Sequence, residues 1–259
     1  MLSERERSLL RGLRARHNRD REGLFLAEGP RVVTDLLASS LELRLAVASS
    51  TFMDTAEGAA LGAALGARTV LRVVDDRVVK ELARTETPQG VLAAVVTPAF
   101  SADDLPAHRG IVCMALDGVQ DPGNVGTLVR TAEALGCSGV IVLPGTADAW
   151  GPKVVRAAAG ALFRLPVARV TVEECTAWAG ARGITVLVAD AGGEPVGPAA
   201  RRRAEAVLLV LGNEGAGVGA ELRAAADGVV AVPQRPDAES LNVAAAGAIL
   251  LWELLGRGT

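Results

Sequence analysis

The sequence predicts an α/β protein, and three observations carry that prediction. Short apolar runs bounded by turn-forming residues alternate with helix-length segments along most of the chain. Near the C-terminus, the apolar runs Val207–Leu211 and Val229–Val232 are each followed by a polar, Gly-containing or Pro-containing loop, and a long apolar helix starts at about Ser240. A hydrophobic content of 50% with only 3% aromatics predicts a large core of Ala, Val and Leu. Because α/β proteins place their chemistry in loops that follow buried strands, we expect the functional site in these loops.

Composition narrows the class of protein. A chain of 259 residues suits one large domain or two modest ones, and a net charge of −3 argues against a uniformly basic nucleic-acid binder. Cys113, Cys137 and Cys175 form no Cys-x-x-Cys pair and are interpreted as small hydrophobic residues in a reducing compartment. The first residues run directly into charge, and no apolar run approaches the roughly 18 residues of a membrane span. We therefore expect a soluble cytoplasmic protein that has no membrane partner.

The first 31 residues are rich in arginine. They contain eight Arg and five acidic residues. The eight are Arg5, Arg7, Arg11, Arg14, Arg16, Arg19, Arg21 and Arg31. A local basic patch on a mildly acidic protein is typical of selective contact with phosphates. A solvated helix face with ion pairs is the alternative, and both interpretations stay open.

The N-terminal half predicts a compact domain over residues 1–98. Ser3 with Glu6 predicts a capping box on a helix that runs to about His17. Strands and helices then alternate, and they predict a parallel or mixed sheet that ends with the strand GVLAAVVTP. Residues 99–109 show no periodicity and contain turn formers, which predicts a linker.

A second alternating series covers residues 110–259. It includes one predicted helix over PKVVRAAAGALFRLP after Pro152, another through Val172–Ala181, and the strand ITVLVAD. A loop is predicted over GGEPVG, followed by Arg201–Arg203.

The first candidate site is Leu116–Gly136, where a buried strand leads through a Pro-Gly turn into a helix. Asn124 or Thr127 is predicted to cap this helix, and Arg130 lies one or two turns into it. An Arg beside a helix N-terminus suits a phosphate or a carboxylate. The alternative is a tight turn that carries a surface Arg.

The second candidate is the loop LGNEGAGVG, in which Glu214 lies between Gly212 and Gly215 after a buried strand. Its glycines also fit a G-x-G-x-x-A dinucleotide fingerprint through Ala220, which alone is weak. The residues NEG separate the strand from the first glycine of the fingerprint, and the next strand ends in Pro rather than an acid. Both features count against nicotinamide binding.

The third candidate is PQRPDAESLNVAAAG, residues 233–247. Ser240 is predicted to cap the last helix, Asn242 lies on its first turn, and Leu241 leaves backbone N–H groups free. A plain helix cap is the alternative.

The two histidines, His17 and His108, lie at no strand end, so a Ser–His–Asp triad is not expected. The sequence contains no His-Glu-x-x-His, Cys-x-x-Cys or Walker A pattern, so neither a metal site nor a P-loop is expected.

Together, DPGNVGTLVRTAEALG, LGNEGAGV and VPQRPDAESLNVAAA resemble the SpoU (TrmH-like) branch of the SPOUT methyltransferases. Earlier in the chain, FLAEGP and TETPQG look like the L30e-like α/β substrate-binding domain of members that act on ribosomal RNA. The resemblance implies a SPOUT domain over 110–259 with a deep trefoil knot, S-adenosylmethionine as methyl donor, and a homodimer formed through the knotted domains. It also implies methylation of a ribose 2′-hydroxyl in structured RNA, with ribosomal RNA favoured, and so no DNA partner.

The resemblance also implies roles for individual residues. The implied catalytic residues are Asn124, Arg130, Glu214, Ser240 and Asn242. Gly212, Val232 and Leu241 match backbone positions that hold the cofactor. The chain departs from the family pattern at Val232, where Ile is usual, and at Gln234-Arg235-Pro236, where Met and small residues often follow the Pro.

The role of Arg130 has two versions. The family proposal makes it the proton acceptor, assisted by an RNA phosphate. Since a guanidinium stays protonated and is a poor base, an electrostatic and orienting role fits better. Alternative functions are methylation of a tRNA, resistance to an antibiotic through ribosomal methylation, or non-catalytic RNA binding on the same fold.

Overall fold

The computed structural model describes residues 2–196, 206–235 and 239–255, so the predicted Arg201–Arg203 loop and Pro236 lie outside the described residues. The chain divides into two compact units. Unit 1 is the chain up to Pro98 together with Trp150–Phe163. Unit 2 is Ala99–Ala149 together with the chain from Arg164 onward.

Unit 1 is built on a mixed four-stranded sheet. Its strands are β1 (Leu24–Glu28), β2 (Leu43–Ser49), β3 (Leu71–Val74) and β4 (Val91–Val96), in the order β1-β4-β2-β3. β4 runs antiparallel to β1 and β2, and β2 runs parallel to β3, which confirms the predicted mixed sheet. Its helices are α1 (Glu4–Gly12), α2 (Arg16–Glu22), α3 (Pro30–Leu37), α4 (Ser50–Met53), α5 (Ala56–Arg68), α6 (Asp76–Leu82) and, from the later segment, α8 (Pro152–Ala157).

The N-terminal helix is shorter than predicted. Ser3 and Glu6 form the predicted capping box, but the helix ends at Gly12 and a second one starts at Arg16. The buried guanidinium of Arg19 donates hydrogen bonds to the carbonyl oxygens of Leu13 (2.8 Å) and Arg14 (3.0 Å). These bonds satisfy carbonyls at the break, which explains why the chain turns there instead of continuing to His17.

Most of the arginines in the first 31 residues have partners inside unit 1. Arg7 and Arg11 form ion pairs with Glu81, and Arg14 donates to the carbonyl oxygens of Glu81 and Ala83. Arg16 pairs with Asp20, Arg21 pairs with Glu22, and Arg19 is buried. Arg5 and Arg31 are exposed and have no partner among the described residues. Ion pairs, as in the second interpretation, therefore hold four of the eight arginines, and two more donate to backbone carbonyls.

The segment Trp150–Phe163 belongs to unit 1, although the sequence placed it in the C-terminal half. The predicted continuous helix is wrong, because α8 ends at Ala157 and a short 3-10 helix follows over Ala161–Phe163. Ala159 (φ 46°) and Gly160 (φ 80°) adopt left-handed backbone conformations that end the helix. The ring of Phe25 lies 4.7 Å from the ring of Trp150 and 6.0 Å from that of Phe163.

Unit 2 contains a six-stranded, fully parallel sheet. Its strands are β5 (Val112–Asp117), β6 (Gly139–Val142), β7 (Val167–Arg169), β8 (Thr185–Pro195), β9 (Val207–Gly212) and β10 (Gly228–Ala231), in the order β10-β8-β9-β5-β6-β7. Its helices are α7 (Pro122–Leu135), α9 (Val172–Ala181), α10 (Ala220–Ala224) and α11 (Val243–Leu255). The central strands β5 and β9 are buried over nearly their whole length, as expected for a parallel sheet covered on both faces.

Two predicted loops differ from the structure of unit 2. The start of the predicted GGEPVG loop is wrong, because β8 continues to Pro195 and pairs with β10 there. In the predicted linker, Phe100 forms a bridge with Ala168, and the side chains of Ala102 and Leu105 are buried in the core of unit 2. An apolar side chain at every second or third position was too weak a pattern to show that this segment is packed.

The three cysteines are free and buried, as the sequence analysis predicted. No helix within the described residues is long and apolar enough to cross a membrane. The trefoil knot stays a prediction of the family resemblance.

Candidate functional site

The first turn of α7 presents Asn124. Asp121 caps the helix by accepting a hydrogen bond from the backbone N–H of Asn124 (2.9 Å), and Pro122 occupies the first helical position. The prediction that Asn124 or Thr127 caps this helix is wrong, because the helix starts earlier, at Pro122. The Asn124 side chain is consequently not used as a cap and can reach the neighbouring loops.

A tight turn after β9 presents Glu214. Asn213 and Gly217 exchange two backbone hydrogen bonds (3.0 and 2.9 Å), and the Asn213 Oδ1 accepts from the backbone N–H groups of Gly215 and Ala216 (2.9 Å each). A Cβ atom added to Gly212 would lie 2.3 Å from the carbonyl carbon of Gly217. Only glycine therefore allows the strand to pass this close to its own turn.

Two side chains bind this turn to the loop that precedes α7. The Nδ2 of Asn213 donates to the carbonyl oxygen of Gly118 (2.8 Å), and the Oδ2 of Asp117 accepts from the backbone N–H of Gly219 (2.7 Å). Asn213 is not among the candidate residues that the sequence motifs indicate. The signal was present, since Asn next to a Gly-rich stretch commonly forms a side-chain-closed turn.

Asn242 caps the last helix. The helix starts at Val243, and the Oδ1 of Asn242 accepts from the backbone N–H of Ala244 (2.9 Å). The prediction that Ser240 is the cap is therefore wrong by two residues. Further along α11, a Cβ atom on Gly247 would lie 2.5 Å from a Leu128 methyl and 2.7 Å from a Leu211 methyl. This glycine lets α11 pack directly on α7 and β9.

A chain of hydrogen bonds joins three predicted residues from three separate stretches. The Nδ2 of Asn242 donates to the Oδ1 of Asn124 (3.0 Å), and the Nδ2 of Asn124 donates to the Oε1 of Glu214 (2.9 Å). The groups at the two ends fix the direction of these hydrogen bonds. At one end, the backbone N–H of Ala244 can only donate, and at the other end a carboxylate accepts. Each amide therefore has one orientation that satisfies its neighbours.

Two other predicted catalytic residues lie outside this chain of hydrogen bonds. Arg130 follows Asn124 by six residues on α7 and is exposed. Ser240 is also exposed. Neither side chain has a hydrogen bond or an ion pair within the described part of the chain. Arg130 is the ninth residue of α7, more than two turns past its start, so the expected place beside the helix N-terminus is wrong. Its guanidinium is nevertheless available to an anion from outside the protein.

The predicted cofactor positions lie at the carboxyl ends of two strands and just before α11. Gly212 ends β9, Val232 follows β10, and Leu241 comes two residues before α11. Val232 and Leu241 make no backbone hydrogen bond with any described residue, so their N–H and C=O groups are open to a ligand. The open backbone groups and the absence of a charged side chain at these three positions fit a ligand held through main-chain hydrogen bonds.

Comparison with protein families matches both parts of the chain. Residues 111–252 match the model of the SpoU rRNA methylase family, and residues 8–93 match an MRM3-like substrate-binding domain. The 23S rRNA (guanosine(2553)-2′-O)-methyltransferase RlmP of Bacillus subtilis (strain 168) is 33% identical, over 94% of this chain and 93% of its own length. The 23S rRNA (uridine(2479)-2′-O)-methyltransferase of Streptomyces viridochromogenes is 30% identical, over 92% of this chain and 84% of its own length.

Solved structures are similar over the same span. The SpoU methyltransferase AviRb from Streptomyces viridochromogenes, in complex with the cofactor AdoMet, is 29% identical with a TM-score of 0.88, over 98% of this chain and 97% of its own. An AdoMet-bound rRNA methyltransferase from Sinorhizobium meliloti is 31% identical with a TM-score of 0.86, over 98% of this chain and 95% of its own.

Proposed function

Because the chain belongs to the SpoU rRNA methylase family, we propose that it transfers a methyl group from S-adenosylmethionine to a ribose 2′-hydroxyl of structured RNA, and that the RNA is 23S ribosomal RNA. The observation that carries this proposal is the hydrogen-bond chain through Asn242, Asn124 and Glu214. It places the polar residues of three motifs side by side at the carboxyl edge of a parallel sheet, where α/β proteins bind ligands.

The choice of 23S ribosomal RNA rests on relatives that match more than nine tenths of this chain. The relatives from Bacillus subtilis and Streptomyces viridochromogenes both carry 23S rRNA in their names, and each methylates a 2′-oxygen. Because both of these relatives are bacterial proteins, we place the reaction on 23S ribosomal RNA in the cytoplasm. The alternatives of a tRNA substrate and of non-catalytic RNA binding have no specific support from the site.

The proposal assigns functions to the two parts of the chain. Residues 1–98 would bind the RNA, residues 99–109 would connect, and residues 110–259 would bind the cofactor and carry the reaction; the family matches at 8–93 and 111–252 support this division. A homodimer is also part of the proposal. Ile249 and Trp252 on α11 support it, since they are 42% and 43% exposed on a mostly apolar helix.

Asn124 and Asn242 are orienting groups in the proposed mechanism. Asn242 is held by the N-terminus of α11, and it fixes the amide of Asn124, which in turn holds the carboxylate of Glu214. Since these hydrogen bonds form before any substrate binds, the Glu214 carboxylate is already oriented when RNA arrives. Pre-organisation of this kind lowers the cost of positioning the ribose.

Arg130 supplies charge in the proposed mechanism. Bound S-adenosylmethionine supplies an electrophilic methyl group on a sulfonium. The exposed guanidinium of Arg130, which has no partner among the described residues, would hold an RNA phosphate. It would also stabilise the negative charge that grows on the 2′-oxygen as the hydroxyl proton passes to solvent water. This role suits Arg130 better than proton abstraction, because a guanidinium has five N–H donors and no acceptor for a proton.

The test combines turnover with cofactor binding. We expect the purified protein to bind S-adenosylmethionine by calorimetry and to methylate unmodified 23S ribosomal RNA at one 2′-oxygen, mapped by mass spectrometry of nuclease digests. Arg130→Ala should lower turnover by about 100-fold or more, the size typical for loss of a charge-stabilising donor, without changing cofactor affinity. Arg130→Lys keeps the charge without the planar fork and should be intermediate.

Each alternative predicts a different result. Binding of NAD instead of S-adenosylmethionine would support the dinucleotide interpretation. RNA binding without cofactor binding would support the non-catalytic alternative. Near wild-type turnover of Arg130→Ala would exclude both versions of its role.

A further inference from the structure

Unit 1 contains a cleft of about 970 Å³ that the proposed mechanism does not use. It lies between α1, α2 and one edge of the sheet, which is formed by the first residues of β1 and β2 and the last residues of β4. This is the opposite edge of the sheet from FLAEGP and TETPQG, which lie at the end of β1 and before β4. The apolar side chains that line it are Leu9, Leu24, Leu45, Val70 and Val96. Three arginines also line it: Arg5 on α1, Arg21 on α2 and Arg44 on β2.

Two of these arginines have no partner among the residues that the structure describes. Arg21 pairs with Glu22 (2.9 Å), and the cleft residue Glu6 is held by Arg72. Arg5 and Arg44 are exposed and form no hydrogen bond or ion pair within the described residues, and the same is true of the Glu42 carboxylate. The charges left unpaired at the cleft are therefore two guanidinium groups and one carboxylate.

The combination of an apolar floor and unpaired guanidinium groups suits a planar, anionic ligand. Guanidinium groups bind phosphates in a forked geometry and also stack on flat rings. A cleft of this volume is in the range of small-ligand sites and is too small to admit an RNA duplex. Sequence-specific RNA binding commonly uses unstacked bases that are packed on apolar or guanidinium surfaces.

We propose that this cleft binds one unstacked nucleotide of the RNA substrate. Its phosphate would lie between Arg5 and Arg44, and its base would lie on the floor formed by leucine and valine side chains. The unpaired carboxylate of Glu42 would accept a hydrogen bond from an amino group of the base, which favours cytosine, adenine or guanine over uracil. This inference rests on the proposed function, because it takes RNA as the substrate.

The test measures binding of unmodified 23S ribosomal RNA to the full-length protein. Arg5→Ala/Arg44→Ala should raise the Kd at least about ten-fold at 0.15 M salt. It should also lower the slope of log Kd against log salt by about 0.7, the value for one phosphate of a single strand. Val70→Trp fills the cleft from a position that is 50% exposed, so it should fold normally and weaken binding without changing any charge. Arg77→Ala/Lys80→Ala removes the same charge from α6 and is the matched control, with an expected Kd near wild type.

Short competitors distinguish a nucleotide site from a phosphate patch. A single-stranded RNA of eight cytidines should compete with 23S RNA, a strand of eight uridines should compete less, and an eight-base-pair duplex should not compete. The inference is overturned if the duplex competes equally, if Val70→Trp binds like wild type, or if the α6 control loses as much affinity as Arg5→Ala/Arg44→Ala. Cofactor binding is measured on the same samples. Its absence from the wild-type protein would contradict the proposed function and leave the cleft result to be judged by RNA affinity alone.

Discussion

Asn242 performs two tasks with opposite ends of one amide. Its Oδ1 caps α11 through Ala244, and its Nδ2 donates to Asn124. A carboxylate could perform the first task but not the second, because an ionised carboxylate only accepts hydrogen bonds. Stability and activity can therefore be separated at this single residue.

Asn242→Asp should lower turnover without lowering stability. The carboxylate keeps the cap and adds a favourable charge at a helix N-terminus, but it cannot donate to Asn124, so the orienting chain to Glu214 is broken. Asn242→Ala removes both bonds and should also lose about 1 kcal/mol of stability. Thermal unfolding and single-turnover methylation measure the two effects. Equal turnover of Asn242→Asp and wild type would show that the amide chain has no part in the reaction.

Asn213 also has two tasks that substitutions can separate. Its side chain closes the turn at Gly215 and Ala216 and binds the turn to Gly118. Asn213→Asp keeps the acceptor for the two N–H groups and loses only the bond to Gly118, whereas Asn213→Ala loses all three.

We expect turnover to fall in the order wild type, Asn213→Asp, Asn213→Ala. The Ala variant should also lose about 1–3 kcal/mol of stability, because backbone groups of the turn and the loop lose their partners. Chemical denaturation and turnover at saturating RNA would measure this order. Full turnover in Asn213→Ala would show that the Glu214 turn holds its shape without the side chain.

At the scale of elements, the carboxylate of Glu6 adds a polar link between α1 and β3 to the apolar packing of Leu10. The Glu6 side chain accepts from the backbone N–H of Ser3 (2.7 Å) and from Nη2 of Arg72 on β3 (2.9 Å). These contacts, led by the Ser3 backbone bond, lower the pKa of Glu6 to about 2 from its ordinary 4.5. A lowered folded-state pKa adds stability above pH 4.5, and this contribution is lost as the pH falls toward 2.

Glu6→Gln should therefore destabilise the protein at pH 7 by about 1 kcal/mol, a size reduced by the partial exposure of the pair. The difference from wild type should shrink as the pH falls from 4.5 toward 2. Urea unfolding across this range gives the measurement. Glu4→Gln is the control, since the Glu4 side chain is 87% exposed and should change stability little at any pH. A difference that grows in acid would have the wrong sign for this explanation.

The accuracy of the sequence-based predictions differs between elements for physical reasons. The alternation of apolar runs predicted the strands well, because burial imposes that pattern on the chain. Helix starts near Asn124 and Ser240 were misplaced because several Asp, Ser and Asn residues nearby can each cap a helix, and tertiary contacts decide which one does. The break after Ala157 was missed because Ala159 adopts a left-handed conformation that its residue type does not favour.

The candidate site could be predicted only through the order of its motifs. Nothing local to Asn124, Glu214 or Asn242 shows that they meet, since the bonds that join them span 90 and 118 residues. The resemblance to a family supplied the grouping. The structure adds the direction of the hydrogen bonds and the role of Asn213.

At the scale of the whole molecule, the assignment of Trp150–Phe163 to unit 1 affects how the two parts can be tested. Deleting residues 1–98 would remove Phe25, against which Trp150 and Phe163 pack, and would expose two large apolar side chains. Loss of RNA binding in such a truncation would then report misfolding as readily as a missing contact. Point variants of exposed residues in the full-length chain are the sharper test of RNA binding.

The three buried thiols all lie in unit 2, and they should make the free energy of unfolding fall at alkaline pH. Burial raises the pKa of Cys113 to about 12, with further contributions from Cys137 and Cys175, and burial raises the pKa of Cys137 and of Cys175 to about 11. In the unfolded chain, each thiol would titrate near its ordinary value of 9. The folded state therefore holds more protons than the unfolded state between pH 9 and 11, and its stability must fall as the pH rises through that range.

Each buried thiol should contribute a loss of about 1.4 kcal/mol per pH unit once the unfolded-state thiol is ionised. We expect stability to be nearly flat between pH 8 and 8.5 and to fall steeply above pH 9, and Cys175→Ala should reduce the slope by about one third of the thiol contribution. Urea unfolding between pH 8 and 10.5, under reducing conditions, measures the slopes. In parallel, a thiol reagent at pH 8 should label the native protein slowly and the urea-unfolded protein at three sites. Rapid labelling of the native protein would mean that unit 2 opens readily, and an unchanged slope in Cys175→Ala would assign the alkaline loss to groups other than the thiols.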